Sequence, residues 1–162
     1  MVSFRIRKVQ NSDEDWIKKF IAKHWGSETI IGCGKTYYPH KLPGFVAVSD
    51  KKYLGLITYA IRKNECELVS LNVVKKRKGI GTALVKETIK TIKRGGCRKL
   101  FFVTTNDNVN ALIFYQKIGF TMKKVYPNAI AVARKIKPEI PLVGNYGIPI
   151  RDAIELEMVF KK

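Results

Sequence analysis

The sequence predicts an α/β fold in which a mixed, largely antiparallel sheet of about seven strands is flanked by helices. Three observations carry this expectation. Short runs in the N-terminal part alternate apolar and polar residues in period two, with turn-forming residues between them. From Glu67 to Thr104 the pattern changes to strand, glycine-containing loop, amphipathic helix and apolar strand. A final alternating run, Ile154 to Phe160, reads as a closing strand.

The elements follow in order. Val2 to Val9 is a first strand, with Phe4 and Ile6 facing one way and Arg5 and Arg7 the other. Asn11-Ser12-Asp13 supplies capping residues for a helix in which Trp16, Ile17, Phe20, Ile21 and His24 recur at helical spacing through Trp25, and Gly26 ends it. The His24-Trp25-Gly26 end is a candidate border of a substrate cleft. Thr29 to Tyr38, Gly44 to Ser49 and Tyr53 to Arg62 read as an antiparallel meander, and Glu65 to Val73 as the next strand. Asp50-Lys51-Lys52 and Lys63-Asn64 make its turns, while Pro39-His40-Lys41-Leu42-Pro43 is a stiffer loop.

Beyond the glycine loop, a helix from Thr82 to Arg94 sets Ala83, Leu84, Ile89 and Ile92 against a charged face of Lys86, Glu87, Lys90 and Lys93, and Gly95-Gly96 stops it. Leu100 to Thr104 is the continuous apolar run expected of a strand buried on both faces. Strand, helix and strand in this order imply a right-handed crossover whose loop lies at the C-terminal edge of the sheet, where ligands bind. Thr105-Asn106-Asp107-Asn108 caps a second helix, Val109 to Ile118, which Gly119 ends before Phe120 begins another strand. Asn128 to Ile136 is expected to form an extra helix and Lys137 to Pro141 a rigid loop.

No fixed-period repeat or low-complexity linker divides the 162 residues, so residues 1–162 are read as a single domain. Lys and Arg exceed Asp and Glu by 31 − 13 = 18, which favours anionic ligands. Cys33, Cys66 and Cys97 lack metal-ligand spacing and read as reduced core thiols of a cytoplasmic protein. His24 and His40 form no zinc motif, and no metal is expected. No run approaches the roughly 20 apolar residues that cross a bilayer, so no membrane association is expected.

Lys75-Lys76-Arg77-Lys78-Gly79-Ile80-Gly81-Thr82 joins strand to helix through successive cations and two glycines. Glycines let consecutive N–H groups converge on one ligand, and the following helix adds its unpaired N–H groups and positive dipole end, so phosphate is the expected guest. A dinucleotide fingerprint starting at Gly79 needs a small residue at position 84, where Leu84 stands. Gly34-Lys35-Thr36 imitates the end of a Walker A loop, but Thr29 occupies the place of its first glycine and Pro39 forbids the required helix.

What remains, Lys76-Arg77-Lys78-Gly79-Ile80-Gly81, resembles the pyrophosphate loop of the GNAT superfamily of N-acetyltransferases, with Lys76 in place of the usual Gln or Arg. Asn108-x-x-Ala111-x-x-Phe114-Tyr115-x-x-x-Gly119-Phe120 resembles the second signature of that superfamily, in the right order and at a suitable separation. The resemblance implies acetyl transfer from acetyl-CoA to a primary amine of a small molecule or peptide. Lys78, Gly79, Ile80, Gly81 and Thr82 are then expected at the pyrophosphate, backbone groups of Leu71 and Val73 at the pantetheine, and the Leu71 N–H at the developing oxyanion. Asn108 is expected to bond the coenzyme, and Tyr115 to return a proton to the thiolate.

Counting back four residues from Leu71, as the resemblance implies for the base, gives Glu67, with Glu65, Asp107 or no protein base, the amine arriving already neutral, as alternatives. Unless a bulge intervenes, alternation puts Glu67, Val69, Leu71 and Val73 on one side of the strand. Tyr146, Arg151 and Asp152 are candidates for shaping the acceptor site. Two rivals remain at this point: a catalytically silent acyl-CoA sensor, and a nucleic-acid-binding protein that uses the basic surface but lacks the known motifs. The sequence is compatible with a monomer or a homodimer.

Overall fold

The computed structural model describes residues 3–32 and 34–161; Met1, Val2 and the thiol of Cys33 lie outside them. Along the chain come β1 (Arg5–Lys8), α1 (Glu14–Trp25), β2 (Ile30–Gly32), β3 (Lys35–Tyr37), β4 (Gly44–Ser49), β5 (Lys52–Arg62), β6 (Glu65–Val73), α2 (Ile80–Arg94), β7 (Lys99–Thr105), α3 (Val109–Lys117), β8 (Thr121–Tyr126), α4 (Ala129–Ile136) and β9 (Ala153–Val159). Seven strands form one sheet in the order β1-β4-β5-β6-β7-β9-β8. Its β6–β7 pairing is parallel and the others are antiparallel, as the crossover through α2 demands.

Two faces cover the sheet. On one, Leu84, Val85 and Ile92 of α2 and Tyr115 of α3 pack on Phe45, Ile57, Leu68, Leu100 and Leu156. On the other, Ile17, Phe20 and Ile21 of α1 cover Val46, Leu56 and Val69. Farther along that second face, Ile130 of α4 packs with Ile150, Ala153 and Val103. The α1 face thus has two separate lids, with a seam between them above β6 and β7.

Two expectations change. Thr29 to Tyr38 is not a strand of the sheet but a separate hairpin of β2 and β3, in which Ile30 pairs with Tyr37 and Gly32 with Lys35. Gly34 takes a left-handed φ of 73°, which turns the chain back at this point. β7 is not buried on both faces: Leu100 and Phe102 are buried, whereas on the other face Phe101 and Val103 are only half-covered, Val103 at the edge of the Ile130 cluster.

Candidate active site

β6 and β7 run in parallel register through Glu65–Lys99, Cys66–Leu100 and Glu67–Phe101, and the register ends there. From Leu68 onward β6 pairs with β5, and from Phe102 onward β7 pairs with β9. A cleft therefore opens between two neighbouring strands immediately beyond Glu67. Its β6 wall carries unused backbone groups. Val74 N–H bonds Leu54 O at 2.8 Å, so by antiparallel alternation Asn72 and Ser70 share their bonds with β5, while Leu71 and Val73 turn N–H and C=O toward the cleft.

A bulge at Val69 overturns the simple alternation. Thr58 pairs with Ser70 and Tyr59 with Leu68, leaving Val69 as the additional residue. Val69 accordingly packs on the α1 side, whereas Leu71 and Val73 pack on the α2 side. Glu67 and Val69 share one face, and Leu71 and Val73 lie on the other.

The glycine loop sits at the C-terminal end of the cleft. Arg77 (φ 61°) and Gly79 (φ 75°) are left-handed, and α2 begins at Ile80 rather than Thr82. The first bond closing the helix is Ala83 N–H to Gly79 O at 3.0 Å, so the amides of Ile80, Gly81 and Thr82 precede the helical ladder and are available to an anion. The Ile80 side chain is buried in the core, leaving only its backbone for that task. Gly81 differs from Gly79: its φ is not left-handed, and a Cβ there would make ordinary contact with Phe114 Cζ at 3.4 Å.

Of the three candidate bases, Glu67 alone combines burial with a cavity. Its residue is 9% exposed, and one carboxylate oxygen accepts a bond from the Tyr37 hydroxyl. Burial raises its pKa above the usual carboxylate range, with Glu155 adding to the effect and Tyr37 and Arg62 opposing it. Glu65 is exposed and paired with Lys99 at 3.3 Å. Asp107 is buried, but its carboxylate accepts from the Thr105 hydroxyl and from the backbone and side-chain nitrogens of Asn145, both at 2.9 Å. That pattern holds a loop.

Tyr115 is 6% exposed and packs against Phe102, Phe114 and Phe120, with 3.9 Å between its ring centre and that of Phe102. Desolvation raises its pKa far above the ordinary tyrosine value, which keeps it protonated, and among the described residues its hydroxyl makes no hydrogen bond. Asn108 stands at the start of α3 and donates from Nδ2 to Thr104 Oγ1 at 3.0 Å. Arg151 and Asp152 pair with each other at 3.0 Å, and Asp152 also accepts from Asn128 N–H ahead of α4. Tyr146 bonds Asn110 on α3 at 2.9 Å.

Two contributors escape sequence reading. Tyr37 meets Glu67 through a hairpin that period-two patterning cannot orient. Lys137, 6% exposed, donates to the carbonyls of Trp25 and Thr29, both at 2.9 Å, and so ties the end of α4 to the end of α1 across the seam. Trp25 in turn donates from its indole to Asn72 Oδ1 on β6 at 2.7 Å, which ties the end of α1 to that strand. Among the described residues no cluster of three or more His, Cys, Asp or Glu side chains is placed to hold a metal ion, and no helix is long and apolar enough to cross a membrane.

A mixed sheet splayed between two parallel strands, with unpaired helix-start amides at the open end, is an architecture that an acyltransferase can use. Residues 10–120 match the model of the acetyltransferase (GNAT) family, and the chain belongs to that family. It is 44% identical over 136 residues to YdhI of Bacillus subtilis (strain 168), an uncharacterized protein, across 83% of this chain and 85% of that one. Its fold is similar to that of an N-acetyltransferase from Staphylococcus aureus Mu50, with a TM-score of 0.72 and 18% identity over 99% of this chain and 100% of that one. A GNAT family acetyltransferase from Elizabethkingia anophelis with acetyl-CoA bound is similar over 99% of this chain and 100% of that one, with a TM-score of 0.68 and 20% identity.

Proposed function

We propose that the protein transfers the acetyl group of acetyl-CoA directly to a primary amine. The observation that carries this reading is the parting of β6 from β7 just beyond Glu67, which sets a desolvated carboxylate at the head of a cleft walled by free backbone groups. Pantetheine extends the open edge of β6 at Leu71 and Val73 as an added strand, and the pyrophosphate takes the amides from Gly79 to Thr82 with Lys78 beside them. Asn108, at the start of α3, lies on the other side of the coenzyme.

Glu67 removes a proton from the acceptor ammonium, and its raised pKa makes it the stronger base. The neutral nitrogen attacks the thioester carbonyl, and the Leu71 N–H bonds the oxygen as negative charge develops there. The C–S bond breaks and the thiolate takes the Tyr115 proton; the nitrogen, cationic after attack, gives up its second proton, which returns to Tyr115 through solvent, and the proton held by Glu67 is released to bulk water. Buried free thiols at Cys66 and Cys97 support a reducing, cytoplasmic setting.

The test is thiol release from acetyl-CoA with a panel of amines. Glu67→Gln should retain CoA affinity in calorimetry and lower turnover by about 100-fold or more, the range of a lost general base. Tight CoA binding by the parent without thiol release for any amine would instead establish a silent acyl-CoA-binding protein.

A further inference from the structure

Glu67 does not face its cavity alone. The space beside it measures about 220 Å3 and is lined by Lys35, Ala60, Arg62, Glu65, Glu67 and Phe101. It lies in the seam on the α1 face, where β3, β5, β6 and β7 each contribute a wall. Phe101, the register partner of Glu67, supplies an apolar wall, and Ala60, the partner of Glu67 on β5, leaves room.

The charges around this space are unequally engaged. Both acids are occupied, Glu65 by Lys99 at 3.3 Å and Glu67 by the Tyr37 hydroxyl. Lys35 of β3 and Arg62 of β5 are exposed at the lip; among the described residues neither forms a close ion pair or side-chain hydrogen bond, and the Arg62 charge acts on Glu67 only at longer range. Unpaired cations are common on a chain with charge +18. What distinguishes this pair is its convergence on the cavity that holds the candidate base.

We infer that the acceptor carries an anionic group beside its amine, with Arg62 and Lys35 taking the anion at the lip of the cavity while the amine faces Glu67. This rests on the acetyltransferase reading and narrows it to compact amino acids or amino phosphates. Arg62 offers a planar fork matched to either oxyanion, and Lys35 adds a point charge. A second ammonium on the acceptor meets two cations instead. The cavity volume, below the roughly 300–1,000 Å3 of drug-sized sites, suits a compact acceptor.

The experiment measures kcat/KM for matched amines with saturating acetyl-CoA: β-alanine against β-alaninamide, phosphoethanolamine against ethanolamine, and 1,3-diaminopropane as the dication. The parent should favour an anionic member over its neutral match by about tenfold or more, the scale of one charge-assisted bond. Which of the two pairs shows the larger preference separates carboxylate from phosphate. In Arg62→Gln, and separately in Lys35→Gln, that preference ratio should fall toward one through a rise in KM. Equal rates for charged and neutral matches, or preference for the dication, would overturn the anion site while leaving acetyl transfer intact. Absence of thiol release with every amine would overturn the underlying reading as well.

Discussion

The Tyr37 hydroxyl donates to the Glu67 carboxylate from a hairpin that lies outside the main sheet. This bond favours the charged carboxylate, whereas burial favours the neutral acid, and burial is the larger influence. Tyr37→Phe should therefore raise the Glu67 pKa further. The acidic limb of the kcat/KM profile moves to higher pH, with about a tenfold loss on that limb and little change once Glu67 is fully ionised. An unmoved limb would take Tyr37 out of the site.

Tyr115→Phe preserves the ring that packs on Phe102 and removes the proton. Turnover should fall about 100-fold with CoA affinity nearly unchanged, provided single-turnover kinetics show that chemistry limits the rate. Parental turnover under those conditions would move the acid role to solvent.

Gly79 and Gly81 should respond oppositely to alanine. At Gly79 the backbone is left-handed, with φ 75°, and Gly79→Ala should cost about 1 kcal/mol of stability even though a Cβ has open space. At Gly81 the alanine methyl makes ordinary contact with Phe114 and should be tolerated, whereas Gly81→Glu brings a longer side chain and negative charge to the anion loop. Calorimetry should then show CoA affinity at least tenfold weaker in Gly81→Glu, with the helical circular dichroism retained.

Asp13 is the acid whose charge the fold uses most plainly. Arg7 binds both its oxygens at 2.8 Å, Tyr53 donates to it at 2.6 Å, and its pKa is lowered to about 2. A depressed carboxylate stabilises the fold above its unfolded value near 3.8 and loses that contribution as pH falls toward 2. Asp13→Asn should cost about 2 kcal/mol at neutral pH and flatten the loss of stability across that acid window, as read by urea unfolding.

The legibility of these features in the sequence follows from the range of the forces involved. Local signals sufficed where a residue's conformation is set by near neighbours: Gly26 ended α1, and the strand–loop–helix passage was recognisable from the chain itself, although α2 begins at Ile80, two residues before the expected Thr82. Period two failed at Val69, because a bulge responds to cross-strand geometry that no local pattern encodes. It also failed from Thr29 to Tyr38, where alternation looks the same in a sheet strand and in a detached hairpin. The resemblance already set Glu67 ahead of Glu65 and Asp107; what the sequence does not carry is the partners of each carboxylate, Tyr37 for Glu67, Lys99 for Glu65 and Asn145 for Asp107, which come from distant parts of the chain.

Lys137 has a consequence for covalent modification. Burial lowers its pKa, yet a neutral amine keeps two N–H bonds, enough for both Trp25 O and Thr29 O. The fastening between α4 and α1 therefore outlasts the charge on the nitrogen and is indifferent to mild alkali. Acylation is another matter, since it leaves a single N–H for two carbonyls and adds bulk at a residue that is 6% exposed. Among the lysines of the native chain this one should resist acetic anhydride, and its labelling should report the parting of the two lids.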